Sequence, residues 1–172
     1  MAVLEDAIGV AKKNKISTIV VASTSGDTAL KLFELVKDGK VRMIVVTHDE
    51  GRPPQERRFS KDIRIRLLAN NITVYTHNPR NILLRKIIGK ILEKLRFPSW
   101  HKHLREVKEK YGTGIKVCHI IVQMLIEGGI LREGKVVAIA GEKKGADSAA
   151  IFVVSQKDKG PILEEIISSP SS

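Results

Sequence analysis

The feature that most constrains this chain is a series of strand-length apolar runs separated by segments with helical spacing. Residues 16–22, 41–47 and 136–140 form nearly continuous apolar, largely β-branched runs. Such runs are typical of strands that helices cover on both faces. Residues 72–75 and 149–154 add two further strands. The sequence therefore predicts an α/β fold, a three-layer sandwich with a mostly parallel five-stranded sheet between two helical layers.

The segments between these strands carry apolar residues at helical spacing. They cover residues 1–14, 27–36, 60–69 and 114–127, which gives the alternation of β-α-β units. Residues 141–148 are different, because so short a connection cannot hold the helical crossover that parallel neighbours require. We therefore predict that the fifth strand is antiparallel and lies at an edge of the sheet.

Positive charge is concentrated in one part of the chain. The whole sequence has 30 Lys and Arg against 19 Asp and Glu, a formal net charge of +11. Residues 80–116 hold eleven of these cations and three of the acids, a net charge of +8. The rest of the chain is nearly neutral, so this basic segment is a separate feature.

The basic segment is predicted to be helical. Asn78 and Pro79 are typical of a helix start, with a capping side chain followed by proline at the first helical position. The helix runs towards residue 96, and Pro98 separates it from a second helix over residues 99–111. We predict one domain, residues 1–172, with a basic helical insert at 79–111. An apolar stripe along the first insert helix comprises Leu84, Ile87, Ile88, Ile91, Leu92 and Leu95.

Composition and length exclude several classes. The chain has 172 residues, 42% of them apolar, which suits one folded domain rather than a disordered chain. No run approaches the roughly 20 apolar residues of a membrane span, and no leader pattern is visible. We expect a cytoplasmic protein. Cys118 is the single cysteine, so an internal disulfide and a CxxC zinc site are excluded, and we expect it to be a small buried residue.

The first candidate site is a hydroxyl-rich loop that follows the first strand and opens a helix. In open α/β sheets, ligands bind beyond the carboxyl ends of strands, and the N–H groups of a helix start attract anions. A phosphate site and an ordinary helix-capping turn both fit this hexapeptide. Its residues are Ser23, Thr24, Ser25, Gly26, Asp27 and Thr28.

The second candidate site is the loop between the last two strands. By itself it also fits a plain hairpin with solvated charges. If the fifth strand pairs with the fourth, this loop emerges at the same sheet edge as the first loop, and two phosphate-suited loops converge on one cleft. Its proposed ligand residues are Gly141, Lys143, Gly145, Ala146, Asp147 and Ser148.

Three further polar residues lie at strand ends near the same edge. Thr47 and His48 end the second strand, and His77 follows the third. A neutral imidazole there could bond a ring carbonyl or act as a base, although a histidine at a strand end is more often a structural cap. No catalytic residue and no metal site is assigned.

Specific segments resemble a known family. VVASTSGDTALKLFEL (residues 20–35) and VAIAGEKKGADSAAIFVV (residues 137–154) are similar to the effector-phosphate loop and closing strands of the C-terminal alpha/beta domain of pyruvate kinase. The chain resembles still more closely a set of small, stand-alone archaeal proteins of the pyruvate kinase C-terminal-like family. Residues 20–29, 114–118 and 145–149 match their recurring motifs, with Ser148 in place of a threonine.

The resemblance implies a sheet order of 3-2-1-4-5, a phosphate site formed by the two loops, and bound FMN in some members without an established reaction. It is weakest over the insert, from about residue 80 to 111. Because a catalytic barrel alone takes about 250 residues, we expect no pyruvate kinase activity.

Two functions from different classes are consistent with the sequence. The leading hypothesis is a protein that binds FMN or another phosphorylated small molecule, with a flavin-dependent oxidoreductase as its enzymatic form. The alternative is a nucleic-acid-binding module that uses residues 80–116. No nucleic-acid motif supports it and aromatic residues are only 4% of the chain, so we expect no sequence-specific nucleic-acid partner. The insert's apolar stripe also suits a contact in a homo-oligomer.

Overall fold

A computed structural model describes residues 2–37, 41–47, 58–76, 100–141, 145–158 and 160–170. Within these ranges the chain alternates between helices and strands, as the sequence predicts, and then closes with consecutive strands. In chain order the elements are α1 (Ala2–Lys13), β1 (Thr18–Ala22), α2 (Asp27–Val36), β2 (Arg42–Thr47), α3 (Lys61–Ala69), β3 (Thr73–Thr76), α4 (Trp100–Glu127), β4 (Gly134–Ala140), β5 (Ser148–Val154) and β6 (Ile162–Ser168).

The strands form one sheet in the order β3-β2-β1-β4-β5-β6. β1 pairs in parallel with both β2 and β4, and β2 pairs in parallel with β3. β5 runs antiparallel to β4. The predicted order 3-2-1-4-5 and the antiparallel fifth strand are therefore confirmed.

The prediction of five strands was wrong, because β6 pairs antiparallel with β5 and forms the edge of a six-stranded sheet. Two adjacent acids, Glu164 and Glu165, interrupt the apolar pattern of this strand. Its register with β5 also shifts at two places, after Ala149 and after Ile151. Such irregularities break the strict alternation by which a half-buried strand is recognised in a sequence.

The sheet separates two hydrophobic clusters, as expected for three layers. On one face α1, α2 and α3 pack against side chains such as Ile19 and Val45. On the other face α4 packs against side chains such as Val20 and Phe152. Because both faces of the central strands are covered, these strands are apolar at almost every position.

Helix α4 turns sharply at Gly112, where φ is 85° and ψ is 172°. A straight helix would place His103 and His119 about 24 Å apart at 1.5 Å per residue, whereas their ring centroids are 5.0 Å apart. The two halves of α4 therefore fold back towards each other. This agrees with the predicted helix break after Tyr111. The predicted helix from Asn78 and most of the 79–111 insert lie outside the described residues.

Among the described helices, none combines the length and the apolar character that crossing a membrane requires.

Candidate phosphate site at the carboxyl edge of the sheet

The candidate site lies where the strand order reverses. The connections after β1 lead to β2 and β3 on one side, whereas α4 leads to β4 on the other side of β1. Val21 of β1 lies opposite Ile139 of β4. Two residues further on, Ser23 and Gly141 follow the ends of neighbouring strands about 4.8 Å apart. Ligands of open α/β sheets bind in the crevice at such a switch point.

Ser23 shapes the β1–α2 loop from within. Its side chain is buried, and its Oγ accepts hydrogen bonds from the backbone N–H groups of Gly26 at 3.2 Å and Ala29 at 3.4 Å. These N–H groups belong to the helix start, where intrahelical acceptors are lacking. Ser23 is one of the predicted phosphate ligands, but its hydroxyl oxygen already accepts two hydrogen bonds within the protein.

Gly26 caps α2 in the left-handed conformation, with φ at 104°. A Cβ on this residue would lie 3.0 Å from the Cδ1 atom of Ile63 in α3. The positive φ and the close approach both require glycine here. The loop is also tied to the start of α3, because the Ser60 N–H donates to the Ser25 carbonyl oxygen at 2.9 Å.

The polar side chains of this loop that reach solvent are those of Thr24, Ser25, Asp27 and Thr28. The Ser25 hydroxyl donates to the Asp27 carboxylate at 2.7 Å. Thr24, Ser25 and Thr28 are half-buried and Asp27 is exposed. The loop therefore presents three hydroxyl groups, but also one carboxylate that would repel a phosphate.

The β4–β5 loop is closed by tight backbone contacts. The Asp147 N–H donates to the Ala140 carbonyl at 3.0 Å. A Cβ on Gly141 would lie 2.0 Å from the carbonyl oxygen of Gly145, and Gly145 has a φ of 89°. Ala146 packs against the core. Lys143, the predicted cation of this loop, lies outside the described residues.

Asp147 and Ser148 face the second half of α4. Ser148 is completely buried, and its hydroxyl donates to Asp147 Oδ1 at 2.8 Å. The thiol of Cys118 in α4 donates to the Ala138 carbonyl at 3.4 Å. Burial, followed by the charge of Asp147, raises the pKa of Cys118 far above its ordinary value. Cys118 is therefore the inert buried residue that the sequence predicts, and Ser148 is engaged inside the protein.

The remaining predicted residues are only partly described. Thr47 is buried at the end of β2 and pairs with Thr76 of β3. His48 and His77 lie outside the described residues. Sequence reasoning missed Arg64 of α3, whose guanidinium donates to Thr76 Oγ1 at 3.2 Å. It lies 5.2 Å from the centroid of the Phe59 ring. No sequence pattern distinguishes Arg64 from other helical arginines, because its position depends on its contact with Thr76 at the end of β3.

The described part of the basic segment does not form a uniform cationic surface. In residues 100–116, exposed cations such as Lys108 alternate with the exposed acids Glu106 and Glu109. Leu104 and Val107 are buried on the other side of the same helix. The nucleic-acid alternative remains a prediction, since residues 80–99 lie outside the described ranges.

Within the part of the chain that the structure describes, no group of three or more His, Cys, Asp or Glu side chains is placed to hold a metal ion.

Comparison with known families agrees with the architecture. A family model described as the pyruvate kinase alpha/beta domain matches residues 1–154. The match includes every element from α1 to β5, and the edge strand β6 follows it. The carboxyl-edge loops, the switch point and the antiparallel fifth strand all lie inside the matched region. This chain therefore belongs to the pyruvate kinase alpha/beta domain family.

Proposed function

We propose that this chain binds a phosphorylated small molecule at the carboxyl edge of its sheet, and that FMN is the leading candidate. The observation that carries the proposal is the position of the two glycine-containing loops, which follow neighbouring strands at the switch point. FMN is favoured over other phosphates because residues 20–29 and 145–149 resemble motifs of a family in which some members bind it.

The start of α2 would hold the phosphate. Its first N–H groups and the positive end of its dipole favour an anion, and the hydroxyls of Thr24, Ser25 and Thr28 are partly open to solvent. Ser25 now donates to Asp27, so phosphate binding would redirect this hydroxyl. Asp27 would then be free to accept a hydrogen bond from a sugar-like hydroxyl, a group that FMN also carries.

Arg64 would supply a positive charge at the same edge. It is half-buried, and Thr76 and the Phe59 ring hold its guanidinium, so little side-chain freedom is lost when it meets an anion. We further propose that Lys143 contributes charge from the opposite loop. A bound flavin would supply electron-transfer chemistry, and the oxidoreductase hypothesis depends on that cofactor.

FMN and riboflavin provide a direct test, because they differ only in the phosphate. We expect FMN to bind roughly tenfold or more tightly than riboflavin, since each hydrogen bond to a charged oxygen contributes about 1.5–3 kcal/mol. Titrations followed by flavin fluorescence and by calorimetry measure both affinities. The double variant Ser25→Ala/Thr28→Val should remove most of the difference between the two ligands.

A matched control removes the same atoms away from the carboxyl-edge loops. The double variant Thr73→Val/Ser155→Ala also loses one serine and one threonine hydroxyl, at the start of β3 and in the turn after β5, and it should leave FMN affinity unchanged. Equal affinities for FMN and riboflavin would contradict the proposal. Mass spectrometry of the purified protein adds a second readout, because co-purifying nucleic acid without any flavin would favour the nucleic-acid alternative.

A further inference from the structure

A second cleft lies at the opposite, amino edge of the sheet, where β1, β2 and β4 begin. It has a volume of about 480 Å³, which is within the range of small-molecule sites. Its lining is mixed, and the apolar part includes the side chains of Ile16, Leu131 and Val136, which are almost completely buried. The rim carries four cations and one acid, contributed by separate segments of the chain: Lys15, Arg42, Arg132, Lys135 and Glu133.

The rim has an excess of positive charge. Lys135 forms an ion pair with Glu164 of β6 at 2.5 Å. Across the described ranges, the side chains of Lys15, Arg42 and Arg132 form no ion pair or hydrogen bond. Glu164 neutralises Lys135, and Glu133 offsets one of the other three cations. The rim therefore retains a net charge of about +2. Cations that share a cleft repel one another, and a bound anion would relieve that repulsion.

The turn that ends α1 determines the position of Lys15 on the rim. Its φ is 55°, and it follows α1 in a Schellman turn, with hydrogen bonds from Ile16 N–H to the Ala11 carbonyl and from Lys15 N–H to the Lys12 carbonyl. Glycine is the usual residue at this position. Lys12 and Lys13 already complement the helix dipole from the last turn of α1. The turn places Lys15 directly before β1, where it lines the cleft.

We infer that this amino-edge cleft binds a phosphorylated small molecule, at a site separate from the carboxyl-edge loops. Arg42 and Arg132 present guanidinium groups, which match phosphate oxygens in pairs. Lys15 adds a third cation, and the Ser17 hydroxyl adds a donor on the same rim. The net positive charge suits a ligand with two or more negative charges.

Inorganic pyrophosphate is the probe, in an amide NMR titration of the full chain at 150 mM salt. At this ionic strength the Debye length is about 8 Å, so weak long-range attraction between exposed charges is largely screened. We expect saturable shifts at Ser17, Thr18 and Gly134. Arg42→Gln and Arg132→Gln should each weaken binding by roughly five- to tenfold. Lys108→Gln is the matched control, because it removes one exposed charge from α4 away from the cleft, and it should change nothing.

Lys15→Gly keeps the test independent of folding damage. Glycine relieves the positive φ, so this variant should melt about 2–4 °C higher and yet bind pyrophosphate several-fold more weakly. Shifts confined to residues 23–28, unchanged affinity in both arginine variants, or an equal loss in Lys108→Gln would each overturn the inference. Binding only of RNA, with no saturable pyrophosphate site, would overturn it as well.

Discussion

Gly114 of α4 lies so close to Ser148 of β5 that a Cβ built on Gly114 would be 1.9 Å from the Ser148 hydroxyl oxygen and 2.6 Å from its Cβ. Ser148 is completely buried, so it cannot move aside into solvent. The contact brings the beginning of the second half of α4 against the loop that closes the candidate phosphate site. The glycine therefore determines how closely α4 approaches that edge of the sheet.

The first prediction is that Gly114→Ala destabilises the protein by about 1–3 kcal/mol, the usual cost of overpacking. The direction of this change in the free energy of unfolding is informative, because the same substitution in an unobstructed helix stabilises the protein by about 1 kcal/mol. Urea denaturation followed by circular dichroism measures the free energy of unfolding.

Substitutions of Ser148 show whether the loss of stability comes from this contact or from a general effect of alanine at position 114. Gly114→Ala/Ser148→Gly removes the obstructing side chain and should regain part of the lost stability, whereas Ser148→Ala leaves a Cβ 2.6 Å away and should not rescue. A strictly additive double-mutant cycle would contradict the assigned contact.

The second prediction concerns Ser23, whose buried Oγ accepts the N–H groups of Gly26 and Ala29. Ser23→Ala leaves both N–H groups without this acceptor and should lower the free energy of unfolding by about 1–3 kcal/mol. Ser155→Ala is the control, since the Ser155 hydroxyl accepts the Lys157 N–H in an exposed turn. Equal denaturation midpoints for the two variants would mean that Ser23 does not cap α2.

The strands follow from local properties of the chain, whereas the details of the site depend on tertiary contacts. The five predicted strands were found because runs such as residues 41–47 are apolar on both faces, which is a local property of the chain. The adjacency of the two loops was also predictable, because parallel neighbours share their carboxyl edge. β6 was missed because Glu164 and Glu165 and two register shifts obscure its periodicity.

The inner details of the site could not be predicted in this way. A hydroxyl in a loop sequence suits a ligand and a helix cap equally well, and only the packed structure shows that Ser23 and Ser148 are buried. Arg64 is positioned by its hydrogen bond to Thr76, which ends β3 twelve residues later in the chain. The amino-edge cleft combines separate segments around Lys15, Arg42 and Arg132, so no single motif marks it.

The third prediction compares the two glycines of the β4–β5 loop. Gly141→Ala would place its Cβ 2.0 Å from the Gly145 carbonyl oxygen, a backbone atom that cannot rotate away. In the described part of the chain no atom lies within 4 Å of a Cβ built on Gly145, but its φ of 89° disfavours other residues. We expect Gly141→Ala to disrupt the loop and FMN binding together. Gly145→Val should also lose ligand, whereas Gly145→Asn should be tolerated, because asparagine adopts positive φ more readily than β-branched residues.

Melting curves and FMN titrations of these three variants give the comparison. Unaltered binding and melting in Gly145→Val would mean that the β4–β5 loop is a plain hairpin with no part in the site.

The last prediction is a loss of stability at mildly acidic pH, caused by His119. Its side chain is buried, and its ring meets those of His103 and Phe152 edge to face, with centroids 5.0 Å and 5.5 Å away. Burial first, and then the neighbouring His103, lower the pKa of His119 from 6.5 to about 4. The unfolded chain therefore binds this proton more readily than the folded one does. Stability should fall as the pH drops below about 6.5, and the loss should level off near pH 4.

Between pH 7 and pH 5 this group alone should remove on the order of 2 kcal/mol from the free energy of unfolding. His119→Phe keeps an aromatic ring against Phe152 but cannot be protonated, so its stability should change less over the same interval. Carboxylates titrate in both proteins, and the difference between the two pH profiles isolates His119. Parallel profiles would mean that the folded protein accommodates the imidazolium, for example by turning His103 away while the two halves of α4 stay packed.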